Sequence, residues 1–71
     1  MKPIYFTRHA LDRLLSIQLT EDDVIKTIHE GEIKREGKTK FRAVKKSKKG
    51  LIIAICTEYM DHIKIITLMK R

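Results

Sequence analysis

The stretch LIIAICTEY, residues 51–59, opens with six consecutive apolar side chains. Such a run, rich in branched residues and preceded by Gly50, is typical of a buried strand. Because Leu51 to Ile55 would be apolar on both faces, we expect this strand to lie at the centre of a sheet. Cys56 is the only cysteine, so it is expected to pack as a small hydrophobic residue.

The segments on either side of this run alternate between polar and apolar side chains, which is the period-two pattern of strands. Short turns are expected between them, at residues 37–38, 48–50 and 60–61. The sequence therefore predicts an antiparallel meander of three or four strands. They are drawn from residues 32–36, 39–47, 51–59 and 62–70.

The first third of the chain has helical spacing instead. A first helix is predicted to begin after a Thr7 cap and to run to about Ile17. Its apolar stripe consists of Ala10, Leu11, Leu14, Leu15 and Ile17. A short strand at residues 2–6 precedes it, and Pro3 confines that strand to an edge or to an extended lead-in.

A second helix is predicted after Thr20, where the sequence Thr-Glu-Asp-Asp approximates a capping box. Its acidic first turn complements the helix dipole. Gly31 would end this helix in a left-handed conformation. The apolar stripe of the helix consists of Val24, Ile25 and Ile28.

These elements predict an α+β fold in two layers, with an αα hairpin packed on the antiparallel meander. Residues 1–71 are expected to form a single domain. Ile28 and Ile55 are predicted to be core residues. Helices on one side only would leave the second face of the sheet partly apolar, which suggests a dimer, another partner or a ligand groove there.

Charge is concentrated in one segment of the chain. Residues 32–50 hold nine basic and two acidic side chains, so this segment carries a net charge of +7, equal to that of the whole chain. A basic stripe of this kind suits a polyanion or an acidic protein partner. The alternative is a lysine-rich, solvated hairpin whose charges protect edge strands from aggregation.

Composition also argues against several classes of protein. One cysteine and three scattered histidines give no metal-binding framework, and no cofactor is expected. The N-terminus lacks the apolar region of a signal peptide, and no apolar stretch is long enough to span a membrane. We therefore expect a cytoplasmic protein with no membrane partner.

The polar side of the first helix carries His9 and Arg13 one turn apart. His9 lies in the first turn, where free backbone N–H groups and the positive end of the dipole attract anions. An imidazole beside a guanidinium that can bind phosphate oxygens suits phosphodiester chemistry. The alternative is that Arg13 pairs with a nearby carboxylate and that His9 is an ordinary surface residue.

The chain resembles the domain of unknown function 4258 (DUF4258) family over nearly its whole length. Phe6 to Arg13 match the pattern F-T-x-H-A-x-x-R, and Leu19 to Val24 match (I/L)-(S/T)-x-x-D-V. Phe41-Arg42 match a Y/F-R pair, and residues 65–67 match a late V-I/V-T strand. A second arginine of the family pattern is absent, because Leu-Ser-Ile-Gln stands at residues 15–18.

The family is similar to the small toxin-like ribonuclease class that includes RelE and the colicin-type nucleases. This resemblance implies metal-independent cleavage of RNA by attack of a ribose 2′-OH on the adjacent phosphate. His9 would be the general base or acid, Arg13 and Arg42 would hold the scissile phosphate, and Thr67 would orient one of these groups. Further phosphate contacts are expected from Arg8, Lys40, Lys45, Lys46, Lys48 and Lys49.

Partners implied by this interpretation are RNA, in a free or a ribosome-associated setting, an acidic antitoxin protein, and a second copy of the chain. Glu58 is an alternative base, although an exposed charge beside a turn is the simpler interpretation. His29 and His62 are expected to face solvent. Two further hypotheses remain open. The first is a non-catalytic nucleic-acid-binding module, although the scarcity of aromatic residues argues against a stacking platform. The second is an interaction protein with a basic sheet face.

Overall fold

The computed structural model describes residues 2–71, which form two helices and five strands. Strand β1 spans Ile4–Phe6, and helices α1 and α2 span Arg8–Ser16 and Glu21–Glu30. The remaining strands are β2 at Glu32–Arg35, β3 at Lys40–Ser47, β4 at Gly50–Glu58 and β5 at Ile63–Lys70. The α+β class is therefore as predicted, and the strands from β2 onward agree closely with the period-two segments.

The five strands form one mixed sheet in the order β1-β5-β4-β3-β2. Strands β2 to β5 make an antiparallel meander, and β4 is central, as its two-sided apolar sequence predicts. The predicted sheet of three or four antiparallel strands is incomplete, because β1 adds a fifth strand parallel to β5. Strand β1 has only three residues, because the chain turns directly from it into α1, which packs on β5.

Both helices cover the same face of the sheet and share one core with it. Helix α1 packs against β5 and β1, whereas α2 packs against β3, β4 and β2. The predicted αα hairpin is therefore not an accurate description, since each helix packs mainly on its own part of the sheet. The core consists of Ala10, Leu14, Leu19, Val24, Phe41, Ala43, Ile52, Ala54, Cys56, Ile65 and Leu68.

Helix starts follow the sequence closely. The Thr7 hydroxyl accepts a hydrogen bond from the Ala10 N–H, and Thr20 and Asp23 form a complete capping box. The prediction for Gly31 is wrong, because its backbone is extended, with φ of −79°. Glycine is needed there for a different reason: a Cβ atom would collide with the carbonyl oxygens of Thr27 and Val44, where α2 meets β3.

Two predictions about burial need correction. Helical spacing puts Leu11 and Leu15 in the apolar stripe of α1, yet they are 38% and 77% exposed, because α1 lies near one edge of the sheet and buries only a narrow stripe. Ile55 is predicted to be core, yet it is only half-buried and lies on the helix-free side of β4. Ile28 is partly buried against the core, and the buried Thr27 donates its hydroxyl hydrogen to the Asp23 carbonyl oxygen.

Within residues 2–71, neither helix has the length or the apolar character needed to cross a membrane.

Candidate functional site

One face of the sheet carries no helix, and we call it the open face. Because residues paired across strands share a face, the register defines its members. They are Tyr5, Glu32, Lys34, Lys40, Arg42, Val44, Lys46, Leu51, Ile53, Ile55, Thr57, Lys64, Thr67 and Met69. Lysine and arginine outnumber acidic residues in this set, so the open face is basic.

A cross-strand row joins two of the predicted site residues, Arg42 and Thr67. Lys34 pairs with Arg42, Arg42 with Ile55, and Ile55 with Thr67. Two strand spacings separate Arg42 from Thr67, which places their Cα atoms about 10 Å apart. The row ends at Thr67, where His9 of α1 adjoins the edge of β5.

The contact between His9 and Thr67 joins the helix to this row. The Nε2 atom of His9 lies 3.1 Å from the Thr67 hydroxyl oxygen, and the His9 side chain is exposed. Thr7 holds the start of α1 in place, because its backbone N–H donates to the Ile65 carbonyl and its hydroxyl donates to the Ile66 carbonyl, each at 3.1 Å. The cap of the helix thus also fixes the position of His9.

An irregularity in β5 directs Thr67 onto the open face. The register shifts between the Cys56–Ile65 and Ile55–Thr67 pairs, which leaves Ile66 as an extra residue. A bulge of this kind re-aims the side chains that follow it. Without the extra residue, strict alternation after Ile65 would direct position 67 toward the helices, so the bulge determines the face on which Thr67 lies.

Arg13 follows His9 along the same side of α1, and its side chain is half-buried. Its Nε atom donates to the Leu68 carbonyl at 3.3 Å. The alternative in which Arg13 pairs with a carboxylate is not found within residues 2–71, where the ion pairs involve other cations. The backbone contact uses one of five guanidinium donors and leaves the terminal nitrogens for a ligand.

Arg42 lies on the open face, and its side chain is held toward the β2 edge of the sheet. One of its terminal nitrogens donates to Glu36 at 2.9 Å, and its Nε atom is buried with no partner in the described chain. A phosphate bound by Arg42 would therefore share the guanidinium with Glu36. The structure brings His9, Thr67 and Arg13 together and leaves Arg42 two strands away, on the face that carries Thr67.

The lysines of the basic segment divide between the two sides of the sheet, because alternate residues of a strand point to opposite faces. Lys40 and Lys46 are exposed on the open face. Lys45 points to the helix side, where its Nζ lies 3.6 Å from Glu30. Lys49 lies 2.8 Å from Asp23, and its hydrogen bond is the main reason that the Asp23 pKa is lowered to about 2. Lys48 and Arg8 are exposed, in the β3–β4 turn and the first turn of α1.

Two other side chains of reactive types, Glu58 and Cys56, are engaged in contacts that serve the fold. Glu58 pairs with Lys2 at 3.0 Å and with Arg35 at 2.8 Å, and these hydrogen bonds lower its pKa. It also lies on the helix side of β4, away from Thr67, so its geometry does not favour a role as base there. Burial raises the pKa of the Cys56 thiol to about 12, which keeps it a neutral packing group.

An aromatic cluster at the β1 end of the open face is not predicted by the sequence pattern. The rings of Tyr59 and His62 stack with centroids 4.5 Å apart, and Tyr5 makes an edge contact with His62 at 5.5 Å. Lys64 lies 5.7 Å from the centre of the Tyr59 ring. His62 is therefore not simply solvent-facing. The long separation of Tyr5 from Tyr59 hides this cluster in the sequence, since only the β1–β5 pairing brings them together.

A comparison with known protein families shows that residues 6–70 match the model of DUF4258, a domain of unknown function. The chain belongs to the DUF4258 family. The match begins at Phe6 and includes both helices, so the DUF4258 region contains the His9–Thr67 pair and the basic segment. Among curated proteins and among solved structures, no significant match was found.

Proposed function

We propose that this protein is a metal-independent endoribonuclease of the toxin type, which cleaves RNA on the open face beside α1. The observation that carries the proposal is the 3.1 Å contact between His9 and Thr67 at the end of a basic cross-strand row. It unites an exposed imidazole, a hydroxyl that fixes its orientation, and guanidinium groups that can bind phosphate.

In the proposed reaction, the 2′-oxygen of a ribose attacks the adjacent phosphorus, and the bond from phosphorus to the 5′-oxygen breaks. His9 acts as the base if its Nε2–H donates to the Thr67 hydroxyl, because Nδ1 then has a lone pair that can take the 2′-hydroxyl proton. The protonated imidazole can return that proton to the departing 5′-oxygen. The products are a 2′,3′-cyclic phosphate and a 5′-hydroxyl.

Arg13 has the role of binding the scissile phosphate in this proposal. It follows His9 by one helical turn, and its Nε is already fixed on the Leu68 carbonyl. A guanidinium fixed in this way can stabilise the charge that develops on the phosphoryl oxygens, because little reorganisation is then required. Arg42, two strands away, binds the same phosphate or its neighbour.

The exposed lysines of the open face supply the less specific part of RNA binding. Lys40 and Lys46 extend the basic surface on either side of Arg42 along β3. An acidic antitoxin would cover the same surface and block the substrate, which is how we propose that activity is restrained. Electrostatic attraction would favour both partners.

A non-catalytic RNA-binding module is the second candidate. The favouring observation is that Arg42 is already paired with Glu36 at 2.9 Å, which leaves it a less available ligand for a reacting phosphate. In that case the open face would bind RNA through its lysines, and His9 would contribute only a hydrogen bond. Turnover separates the two functions, whereas affinity does not.

The deciding experiment incubates the protein with an end-labelled RNA, with and without EDTA and with and without ribosomes. We expect cleavage that EDTA does not inhibit and products that end in a 2′,3′-cyclic phosphate. Protein that binds RNA but does not cut it in any of these conditions would contradict the nuclease proposal and favour the binding module.

A further inference from the structure

The aromatic cluster of Tyr5, Tyr59 and His62 lies on the same face as Thr67, which His9 contacts from α1, but the proposed cleavage does not use it. Tyr5 is 56% exposed and Tyr59 is 42% exposed, although aromatic rings that serve only to pack a core are normally buried. His62 is half-buried and contacts both tyrosine rings. The cluster is thus a preformed pair of aromatic rings with accessible surface.

The distance between this cluster and the cleavage site is short. Tyr5 pairs with Lys64, and Lys64 pairs with Thr57, which is two residues along β4 from Ile55. Ile55 pairs with Thr67, so the row of Tyr5, Lys64 and Thr57 lies about 7 Å from the row that ends at Thr67. Tyr5 and His9 are also connected by the short link from β1 into α1. A neighbouring nucleotide could therefore span from the cleavage row to the aromatic rings.

The cations around the cluster suit a nucleic-acid strand. Lys64 lies near the Tyr59 ring, and Lys40 continues the Tyr5, Lys64 and Thr57 row on β3. An aromatic surface beside a basic groove is the combination with which proteins bind single strands, because every base has a π-face and every link has a phosphate. In duplex RNA the bases are already stacked and are not available to such a surface.

We propose that Tyr5, with Tyr59 and His62 behind it, stacks on an unpaired base of single-stranded RNA next to the cleaved bond, while Lys64 binds the adjoining phosphate. This inference rests on the proposed function and names its substrate class as single-stranded rather than duplex RNA. Tyr5 provides the accessible ring, and the stacked Tyr59–His62 pair holds it in place.

The test measures binding of a short fluorescein-labelled RNA whose riboses are 2′-O-methylated, so that 2′-OH attack cannot occur. Tyr5→Leu should weaken binding of the single strand by about 5- to 150-fold, the loss typical of one stacked base. Tyr5→Phe keeps the ring and should bind like the parent. Because the tyrosine ring neutralises no phosphate, Tyr5→Leu should also leave the salt dependence unchanged.

Controls separate stacking from general damage. Leu15→Ala removes another exposed apolar side chain, outside the open face, and should change nothing. Duplex RNA of the same sequence should bind equally to the parent and to Tyr5→Leu. The proposal is overturned if Tyr5→Leu binds the single strand as tightly as the parent, if duplex affinity falls as much, or if the parent binds no single strand. Because this RNA is uncleavable, the result is independent of whether the protein is a nuclease.

Discussion

At the scale of single residues, the candidate site depends on how Thr67 is presented to His9. The two side chains are 58 positions apart in the sequence, and they meet at the edge of β5, where Thr7 anchors the start of α1 beside the Ile66 bulge. In the proposed reaction Thr67 acts through the imidazole that it contacts rather than on the reacting atoms, so its proposed role is that of a positioning residue.

Replacement of Thr67 with valine tests this positioning role. Thr67→Val keeps the branched shape that suits a strand but removes the hydroxyl, so folding should be retained. Loss of one hydrogen bond to the imidazole should lower the rate of RNA cleavage by about tenfold. Thr67→Ser retains the hydroxyl and should restore most of the rate. Equal rates for the valine variant and the parent would show that the hydroxyl does not position His9.

Some of these residues can be predicted from the sequence and others cannot. His9 and Arg13 are accessible to prediction, because helical spacing alone puts both on the polar side of α1. Arg42 and Thr67 are indicated only by the family resemblance, and their common face depends on strand register. The bulge at Ile66 has no glycine or other local marker, so periodicity cannot locate it.

At the scale of elements, α2 depends on a capping box that is linked to the β3–β4 turn. Asp23 accepts a hydrogen bond from the Thr20 backbone N–H at 2.9 Å and another from the Lys49 ammonium at 2.8 Å. Together they stabilise the ionised carboxylate, with the larger effect from Lys49, and lower the Asp23 pKa to about 2. One carboxylate therefore stabilises both the start of a helix and a turn of the sheet.

This linkage predicts a pH dependence of stability. Because the Asp23 pKa is about 2 in the folded chain against an ordinary value of 3.8, the unfolded chain binds a proton first as pH falls. The stabilisation should be fully present above about pH 4 and should be lost as pH falls toward 2. Asp23→Asn should lose less stability than the parent over this interval, as measured by urea unfolding at each pH. Asp22→Asn, outside the capping box, is the control and should behave like the parent.

The sequence predicts the caps at the starts of both helices correctly but not the role of Gly31 at the end of α2, and this contrast has a physical explanation. Thr7 and Thr20 are predictable as caps because a hydroxyl bonds to the N–H groups of its own helix, which is a local interaction. The role of Gly31 is not predictable in this way, because its constraint is the approach of the Val44 carbonyl from β3. The pairing of β1 with β5 is non-local in the same sense.

At the scale of the whole molecule, the basic charge is divided between the two sides of the sheet. In the sequence one segment carries a net charge of +7, but strand alternation separates its lysines. Lys45 and Lys49 are engaged with acidic residues of α2, whereas Lys40 and Lys46 are exposed on the open face. We therefore propose that the second pair, rather than the whole segment, contacts RNA.

Two double variants with equal change of charge test this assignment. Replacement of Lys40 and Lys46 with glutamine should reduce the salt dependence of RNA binding, by about 0.7 in the logarithmic slope for each phosphate of a single strand that is no longer neutralised. Replacement of Lys45 and Lys49 with glutamine should leave the slope unchanged, although it should lower stability. An equal reduction of the slope by both pairs would contradict this assignment and indicate that all lysines of the basic segment attract RNA alike.

The most direct test of the proposed site is RNA cleavage by His9→Gln. Glutamine retains a hydrogen-bonding side chain in the exposed first turn of α1 but cannot exchange a proton near pH 7. We expect folding and RNA affinity to remain close to those of the parent, while the cleavage rate falls by about 10²- to 10⁴-fold, the usual contribution of one acid–base group. Cleavage by His9→Gln at the rate of the parent would contradict the role of His9 as the acid–base group and make this side of α1 an ordinary surface.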